Sequence, residues 1–356
     1  MATIIYHTPY TMSTKSNLGQ FYTTNYEYIL QNMLISPEKH PEIIEPFAGN
    51  GDLIPFVESQ GEFHIECYDI DPKKEYITQR DTLTNPPDYT GKYVITNPPF
   101  LARNKSKTKT LFDKYKTNDL YKCFIVNITE NPCKGGIVIL PINFMCSIRK
   151  SDVELRKNFL EQYRITNMNL FEERVFEDTT CTVCSIQFEP NEDKENLTHD
   201  FTIHVFPELT AIDVSLSPEN NYTIGGEIYQ LPQSEVYSVE RATKKTKYPE
   251  NTTNILLKCI DDNEESRINL SITTPEDRYI DETENLTARC YATLVVSPPL
   301  SPEEQENLVE KFNTFINEKR SEYHSLFLTN YRESKDIARK RISFDLAFKI
   351  CSHILR

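Results

Sequence analysis

The stretch NPPDYTGKYVITNPPF, residues 85 to 100, holds Asn-Pro-Pro twice, once ahead of Asp88 and once ahead of Phe100. Proline sets its own φ and restricts the residue before it, so an Asn followed by two prolines has a nearly fixed backbone. At Asn97 the side-chain oxygen and the Pro98 carbonyl can converge on one spot, with Pro99 stiffening the exit. Two converging acceptors suit a planar exocyclic amine, which offers two N–H donors. Accepting both bonds localises the nitrogen lone pair for attack. Phe100 adds a flat apolar face on which an aromatic ring can stack. The pattern describes a pocket for an amino-bearing base such as adenine.

The elements around each copy decide between them. In open parallel sheets, ligands sit beyond the carboxyl ends of the strands. Asn97 follows KYVIT, a β-branched and aromatic run, and so stands at a strand's end. Asn85 follows RDTLT, which resembles no buried strand, and the first copy reads as a proline-stiffened loop. Further strands are expected at PEIIEPFAG, FHIECYDID, GGIVILPINF and TTCTVCSIQF, with helical spacing in DLYKCFIVNITENP and SDVELRKNFLEQYR. This alternation implies an α/β fold, a parallel sheet covered by helices on both faces. Beyond Pro190 the polar linker NEDKEN leads into short strand-like runs such as FTIHVF and NYTIGGEIYQLP. Two closing helices follow, the first opened by a Ser301–Glu304 capping box. The expected domains are residues 1–190 and a mixed α+β domain, residues 191–356.

Three more positions fit a nucleotide-like ligand. Gly49 and Gly51 of EPFAGNGDL allow a tight turn and a close backbone approach. Ile54 stands where a third glycine would complete G-x-G-x-x-G, so the pair alone is a weak signal. Asp69 of YDIDP ends the second strand, where an acid takes ribose hydroxyls. Asp81 of QRDTL is placed to accept from an adenine amine at the third strand.

Composition sets bounds. The net charge of -14 over 356 residues argues against a general polyanion coat, though not against a local basic surface. Basic clusters occur at Arg103 to Lys109, Arg241 to Lys247 and Arg339 to Arg341, each of which can be a solvated loop. No apolar run approaches the roughly 18 residues a membrane span needs. The opening MATIIYHTPYTM has neither a basic nor a long apolar region, so no signal peptide is expected. The nine cysteines are dispersed. Cys181 and Cys184 lack a second pair or a nearby His, so neither zinc nor any other metal is expected, and the thiols read as reduced in an intracellular protein.

Taken in order, LGQFYTT, EPFAGNG, YDIDP, RDTL, NPPF, GGIVILPINF and ERVFEDTTCTVCSIQF resemble the S-adenosylmethionine-dependent adenine-N6 DNA methyltransferases of the γ class, over most of residues 18 to 190. The resemblance implies a Rossmann-like class I methyltransferase sheet and a C-terminal target-recognition domain. Residues 14–35 would close over the methionine end of S-adenosylmethionine, with no metal. The implied cofactor contacts are Gln20, Phe21, Tyr22, Thr23, Glu45, Phe47, Ala48, Gly49, Gly51, Asp69, Ile70, Asp81, Thr82 and Asn97. Asn97, Pro98, Pro99 and Phe100 would be catalytic, and Phe100 and Phe176 would hold a flipped base. The implied partner is duplex DNA in a short, palindromic site, which a cognate restriction endonuclease could share without a stable complex. Arg103, Lys105, Lys107, Lys109, Lys244, Lys245 and Lys247 then become candidates for phosphate contacts. Thr24 replaces a proline of the family pattern, and the second half matches no family motif. Ribosomal RNA and protein-glutamine methyltransferases also use Asn-Pro-Pro-aromatic, and a non-catalytic binding protein could keep the fold; these readings stay open.

Overall fold

The computed structural model describes residues 19, 21–176, 181–247, 249–263, 265–281, 290–331 and 339–356. The chain divides into two compact units, residues 1–144 with 149–213, and residues 145–148 with 214–356.

The first unit carries a nine-stranded sheet, whose last strand runs on past residue 213. Its strands are β1 (Glu42–Glu45), β2 (His64–Asp69), β3 (Thr78–Gln79), β4 (Tyr93–Thr96), β5 (Gly136–Pro141), β6 (Tyr163–Phe171), β7 (Val183–Pro190), β8 (His199–Phe206) and β9 (Thr210–Leu216). They lie in the order β3-β2-β1-β4-β5-β7-β6-β8-β9. Strands β1 to β5 pair in parallel. Every residue of β4 and β5 is buried, as expected of strands covered on both faces. Parallel neighbours need crossover connections. These carry α1 (Ile54–Gln60), α2 (Thr110–Tyr115) and α3 (Leu120–Glu130), while α4 (Lys150–Gln162) leads from β5 to β6. Helix α3 buries Tyr121, Phe124, Ile125 and Ile128. Its Lys122 pairs with Asp152 of α4 at 2.6 Å, both buried, and also donates to Asn118. The fold is the class I methyltransferase sheet that the motifs imply. The direction of chain progression reverses between β1 and β4, which opens a crevice at their carboxyl ends.

Two features differ from the sequence reading. The sheet is mixed, because β7 runs antiparallel to both β5 and β6. Strand β6, YRITNMNLF, emerges directly from α4, with Tyr163 already extended, and so reads in the sequence as the tail of that helix. The units also part after residue 213 rather than 190. FTIHVF belongs to β8, which pairs in parallel with β6 and extends the large sheet.

The second unit holds a four-stranded antiparallel sheet of β10 (Ser238–Arg241), β11 (Thr252–Lys258), β12 (Asn269–Ile272) and β13 (Tyr291–Ser297), ordered β10-β13-β11-β12. Helices α5 (Pro302–Tyr323) and α6 (Phe344–Ile354) bury Phe312, Ile316 and Ile350 with Ile255, Leu257, Leu294 and Val296. Ser301 and Glu304 form the expected reciprocal cap on α5. NYTIGGEIYQLP is not a strand. Its glycines lead into a 3-10 helix, Gly226–Gln230.

Candidate active site

Adjacent strands at the sheet reversal carry the two principal motifs. β1 ends in Glu45 and enters the glycine loop, while β4, paired with it at Ile43–Tyr93 and Ile44–Val94, ends at Thr96, just before Asn97. In the loop, Gly49 and Gly51 have φ of 53° and 75°. The Gly49 N–H donates to Asp69 Oδ2 at 2.8 Å, and the Asp71 N–H donates to Oδ1 at 2.8 Å. The acid ending β2 therefore holds the loop in shape. A Cβ at Gly49 would press on the Tyr22 ring at 3.2 Å, and one at Gly51 would run into the Tyr76 hydroxyl. Only a bare backbone fits beneath those rings.

Glu45 is 2% exposed, and its Oε2 has no hydrogen-bond partner among the described residues. Burial, then the nearby Asp52 and Asp69, push its carboxyl well above the usual range. A cation bound beside this carboxyl would favour its ionised form. Ile70, beside Asp69, is 43% exposed despite being apolar. The glycine cradle, this orphaned acid oxygen and the bared Ile70 fit a nucleoside ligand that also carries positive charge. Tyr76, exposed over Gly51, joins them; no motif marked it. Other expected contacts face inward. Phe47 stands edge-on to Phe124 at 5.4 Å, and Ala48 is buried. The buried Thr82 hydroxyl donates to the Pro46 carbonyl at 2.9 Å. The Asp81 carboxylate accepts from the Leu83 and Thr84 N–H groups and the Thr84 hydroxyl, capping its own turn.

Asn97 is 9% exposed. Its Nδ2 donates to the Phe21 carbonyl at 2.8 Å and to Thr23 Oγ1 at 3.1 Å. A carbonyl can only accept, so the amide's orientation is fixed. Its Oδ1 is then buried with no partner among the described residues. An acceptor left so costs about 1–3 kcal/mol, which an incoming N–H would recover. The next amides are gripped in turn: the Phe100 N–H by the Gly19 carbonyl at 2.9 Å, and the Leu101 N–H by Asp119 Oδ1 at 3.0 Å. Gly19 has φ 69°, and a Cβ there would meet the Phe100 carbonyl oxygen at 2.8 Å. Burial pushes the Asp119 carboxyl up to about 6.

Phe100 and Phe176 both pack against the ring of Phe21. Phe21 lies 5.5 Å from Phe100 and 6.2 Å from Phe176, centroid to centroid. Both are buried, and Phe100 also meets Tyr121 edge-on at 6.0 Å. Pro98 is buried and Pro99 half-buried. Gln20 and residues 14–18 of the expected closing segment lie outside the described residues.

The first Asn-Pro-Pro sits elsewhere. Arg80 donates to the carbonyls of Asn85 at 2.9 Å and Pro86 at 2.8 Å, and Asn85 itself is exposed. In the basic loop after NPPF, Arg103 pairs with Asp113 at 2.6 Å, and Lys109 turns inward to the carbonyls of Arg103 and Ser106. Lys105 and Lys107 are exposed. Lys244, Lys245 and Lys247 are exposed in the second unit. Glu42, His64 and Glu66 gather their ligand atoms as a metal site would, but at the β1 and β2 ends away from the glycine loop. There His64 pairs with Glu42 at 2.7 Å and Lys92 with Glu66 at 2.7 Å.

The sheet order and the crevice it opens define a class I S-adenosylmethionine-dependent methyltransferase fold. The comparisons narrow the resemblance to restriction–modification methyltransferases. The family model for the Eco57I restriction-modification methylase matches residues 61–176, from before β2 to Phe176. Type II methyltransferase M.HincII of Haemophilus influenzae is 23% identical over 244 residues, covering 62% of this chain and 45% of the relative. M.HindII of H. influenzae strain Rd is 23% identical over 244 residues, with 62% and 44% covered. The chain thus spans less than half the length of these curated relatives. Among solved structures, a modification subunit of a putative type I restriction enzyme from Vibrio vulnificus aligns at TM-score 0.40 and 14% identity, over 53% of this chain and 48% of that one. A type I methyltransferase subunit from Streptococcus thermophilus aligns at TM-score 0.38 and 13% identity, over 55% and 46%. No helix among the described residues is long and apolar enough to cross a membrane.

Proposed function

We propose that the chain methylates the N6 amino group of an adenine flipped out of duplex DNA, using S-adenosylmethionine. The observation that carries this reading is Asn97, whose amide hydrogens are engaged and whose Oδ1 is buried without a described partner. Oδ1 and the Pro98 carbonyl are the two acceptors for the amine hydrogens. Glu45, Asp69, Ile70 and the Gly49–Gly51 loop hold the cofactor, with Tyr22 and Tyr76 over the glycines. Bound there, S-adenosylmethionine supplies a methyl group on a positively charged sulfur, so the leaving group needs no protonation. The chain's task is alignment of amine, methyl carbon and sulfur. The amine's surplus proton passes to water after transfer, and no side chain is assigned as a strong base. Extrusion from the stack costs a few kcal/mol, offset by aromatic contacts worth roughly 1–3 kcal/mol per base. Phe100 and Phe176 supply these once the Phe21 ring turns aside, its backbone carbonyl staying on the Asn97 amide. Lys105, Lys107 and the Lys244–Lys247 loop take backbone phosphates, and the second unit reads the target.

The test is transfer of tritium from labelled S-adenosylmethionine to unmethylated DNA, RNA and protein, followed by nucleoside chromatography. Label in N6-methyladenosine from DNA supports the reading. Label in RNA, in protein or in another base alone overturns it.

A further inference from the structure

The segment assigned to the cofactor also grips the catalytic amide. Four contacts join residues 19–23 to NPPF. The Gly19 carbonyl takes the Phe100 N–H, the Phe21 carbonyl and the Thr23 hydroxyl oxygen take Asn97 Nδ2, and the Phe21 ring lies against Phe100. Thr23 is buried, 3% exposed, beside that amide, whereas Tyr22 of the same segment lies over Gly49 in the glycine loop. One short stretch therefore touches both halves of the crevice.

We propose that Thr23 is a positioning residue for Asn97 rather than a cofactor contact, and that docking of Gly19, Phe21 and Thr23 presents the Asn97 Oδ1 acceptor to the substrate amine. This rests on the function proposed above. An amide side chain has two nearly isosteric orientations, and only the one with Oδ1 outward can accept from an amine. With both N–H groups directed at Phe21 and Thr23, the reversed orientation would set oxygen against oxygen. Loss of the Thr23 acceptor leaves one tether, so the amide rocks and the acceptor is misaimed. Because Tyr22 lies over the glycine loop from the same segment, a ligand held there bears on the residues that set Asn97. The cofactor and target-base sites are coupled through it.

Thr23→Val keeps the shape and removes the acceptor; Thr23→Ser keeps the acceptor. In methyl transfer to genomic DNA from a host lacking adenine methylation, Thr23→Val is expected to lower kcat about ten-fold. Its KM for S-adenosylmethionine and its Kd for S-adenosylhomocysteine should stay within about two-fold, and Thr23→Ser should recover most of the rate. Thr23→Ala removes the same acceptor with less bulk and carries the same expectation. A cofactor KM that rises with kcat unchanged would make Thr23 a cofactor contact and overturn the proposal, as would a Thr23→Val rate equal to wild type. An arm independent of activity is side-chain amide exchange in protein labelled with nitrogen-15 asparagine. The Asn97 NH2 signal, assigned by its loss in Asn97→Asp, should exchange slowly in the wild type and faster in Thr23→Val. Exchange at the rate of a solvated asparagine in the wild type would defeat the clamp. If the wild type methylates no DNA but its Asn97 amide is protected, the proposed function fails and the clamp stands.

Discussion

The two Asn-Pro-Pro copies share a tripeptide and little else. Residues 85–87 lie in a loop that Arg80 clamps from outside through two carbonyls, with Asn85 exposed. Residues 97–99 close a fully buried strand beside the sheet reversal, and the Asn97 amide is locked by a segment 74 to 76 residues away in sequence. In the first copy the backbone makes the contacts; in the second the side chain does. Proline stiffness supplies a fixed backbone in both. Burial and a tertiary clamp turn one of them into a candidate for chemistry.

Asn97→Ala removes an acceptor aimed at the amine, and methyl transfer should fall by about a thousand-fold. Its affinity for S-adenosylhomocysteine by calorimetry should stay within a few-fold. Gly19→Ala comes next. At φ 69° its Cβ would meet a backbone oxygen at 2.8 Å, which pushes the segment off NPPF. A rate loss on the order of ten- to a hundred-fold is expected from such a displacement. Unchanged kinetics would mean that the segment does not set the amide.

Asp119, which holds the Leu101 N–H beyond NPPF, sharpens the contrast through pH. Its carboxyl is raised from 3.8 to about 6 in the fold. Between those values the native protein keeps a proton that the unfolded chain has lost, so stability falls as pH rises through this window and stays lower above it. Asp119→Asn removes that dependence, and relative to wild type it should gain about 2 kcal/mol between pH 4 and pH 7 in urea melts. No relative gain would mean that the acid is ionised throughout. Glu45, also buried, should add a slope of the same sign. The smallest effects belong to the first copy. Arg80→Ala should cost about 1 kcal/mol of stability with the methyl-transfer rate kept, and Asn85→Ala should stay within about 0.5 kcal/mol and be silent in rate.

Much of the crevice was legible in the sequence because it is local. KYVIT running into NPPF and EIIE running into a glycine pair are apolar runs with abrupt stops, and they fall on β4 and β1. Direction and distance were not legible. YRITNMNLF alternates polar and apolar residues straight out of a helix, so it carried no start signal, and the antiparallel insertion of β7 depends on pairing across the sheet. Asp81 has the spacing of a ligand acid, and its carboxylate also accepts from the Leu83 and Thr84 N–H groups of its own turn, a contact that spacing along the chain does not report. Thr23 shows the reverse case. Its motif points to a cofactor, while its hydroxyl oxygen accepts from the Asn97 amide, more than seventy residues away in sequence. Arg103 and Lys109 likewise read as surface charge, but Arg103 pairs with Asp113 of α2 and Lys109 turns to carbonyls of its own loop.

The most direct test is a crystal structure of the protein with S-adenosylhomocysteine and a duplex containing its target adenine, identified first by mapping methylated bases in an expressing host. The account predicts the adenine amino nitrogen within about 3 Å of both Asn97 Oδ1 and the Pro98 carbonyl oxygen. An amine held elsewhere, with Asn97 turned away from the base or Asn85 in its place, would contradict it.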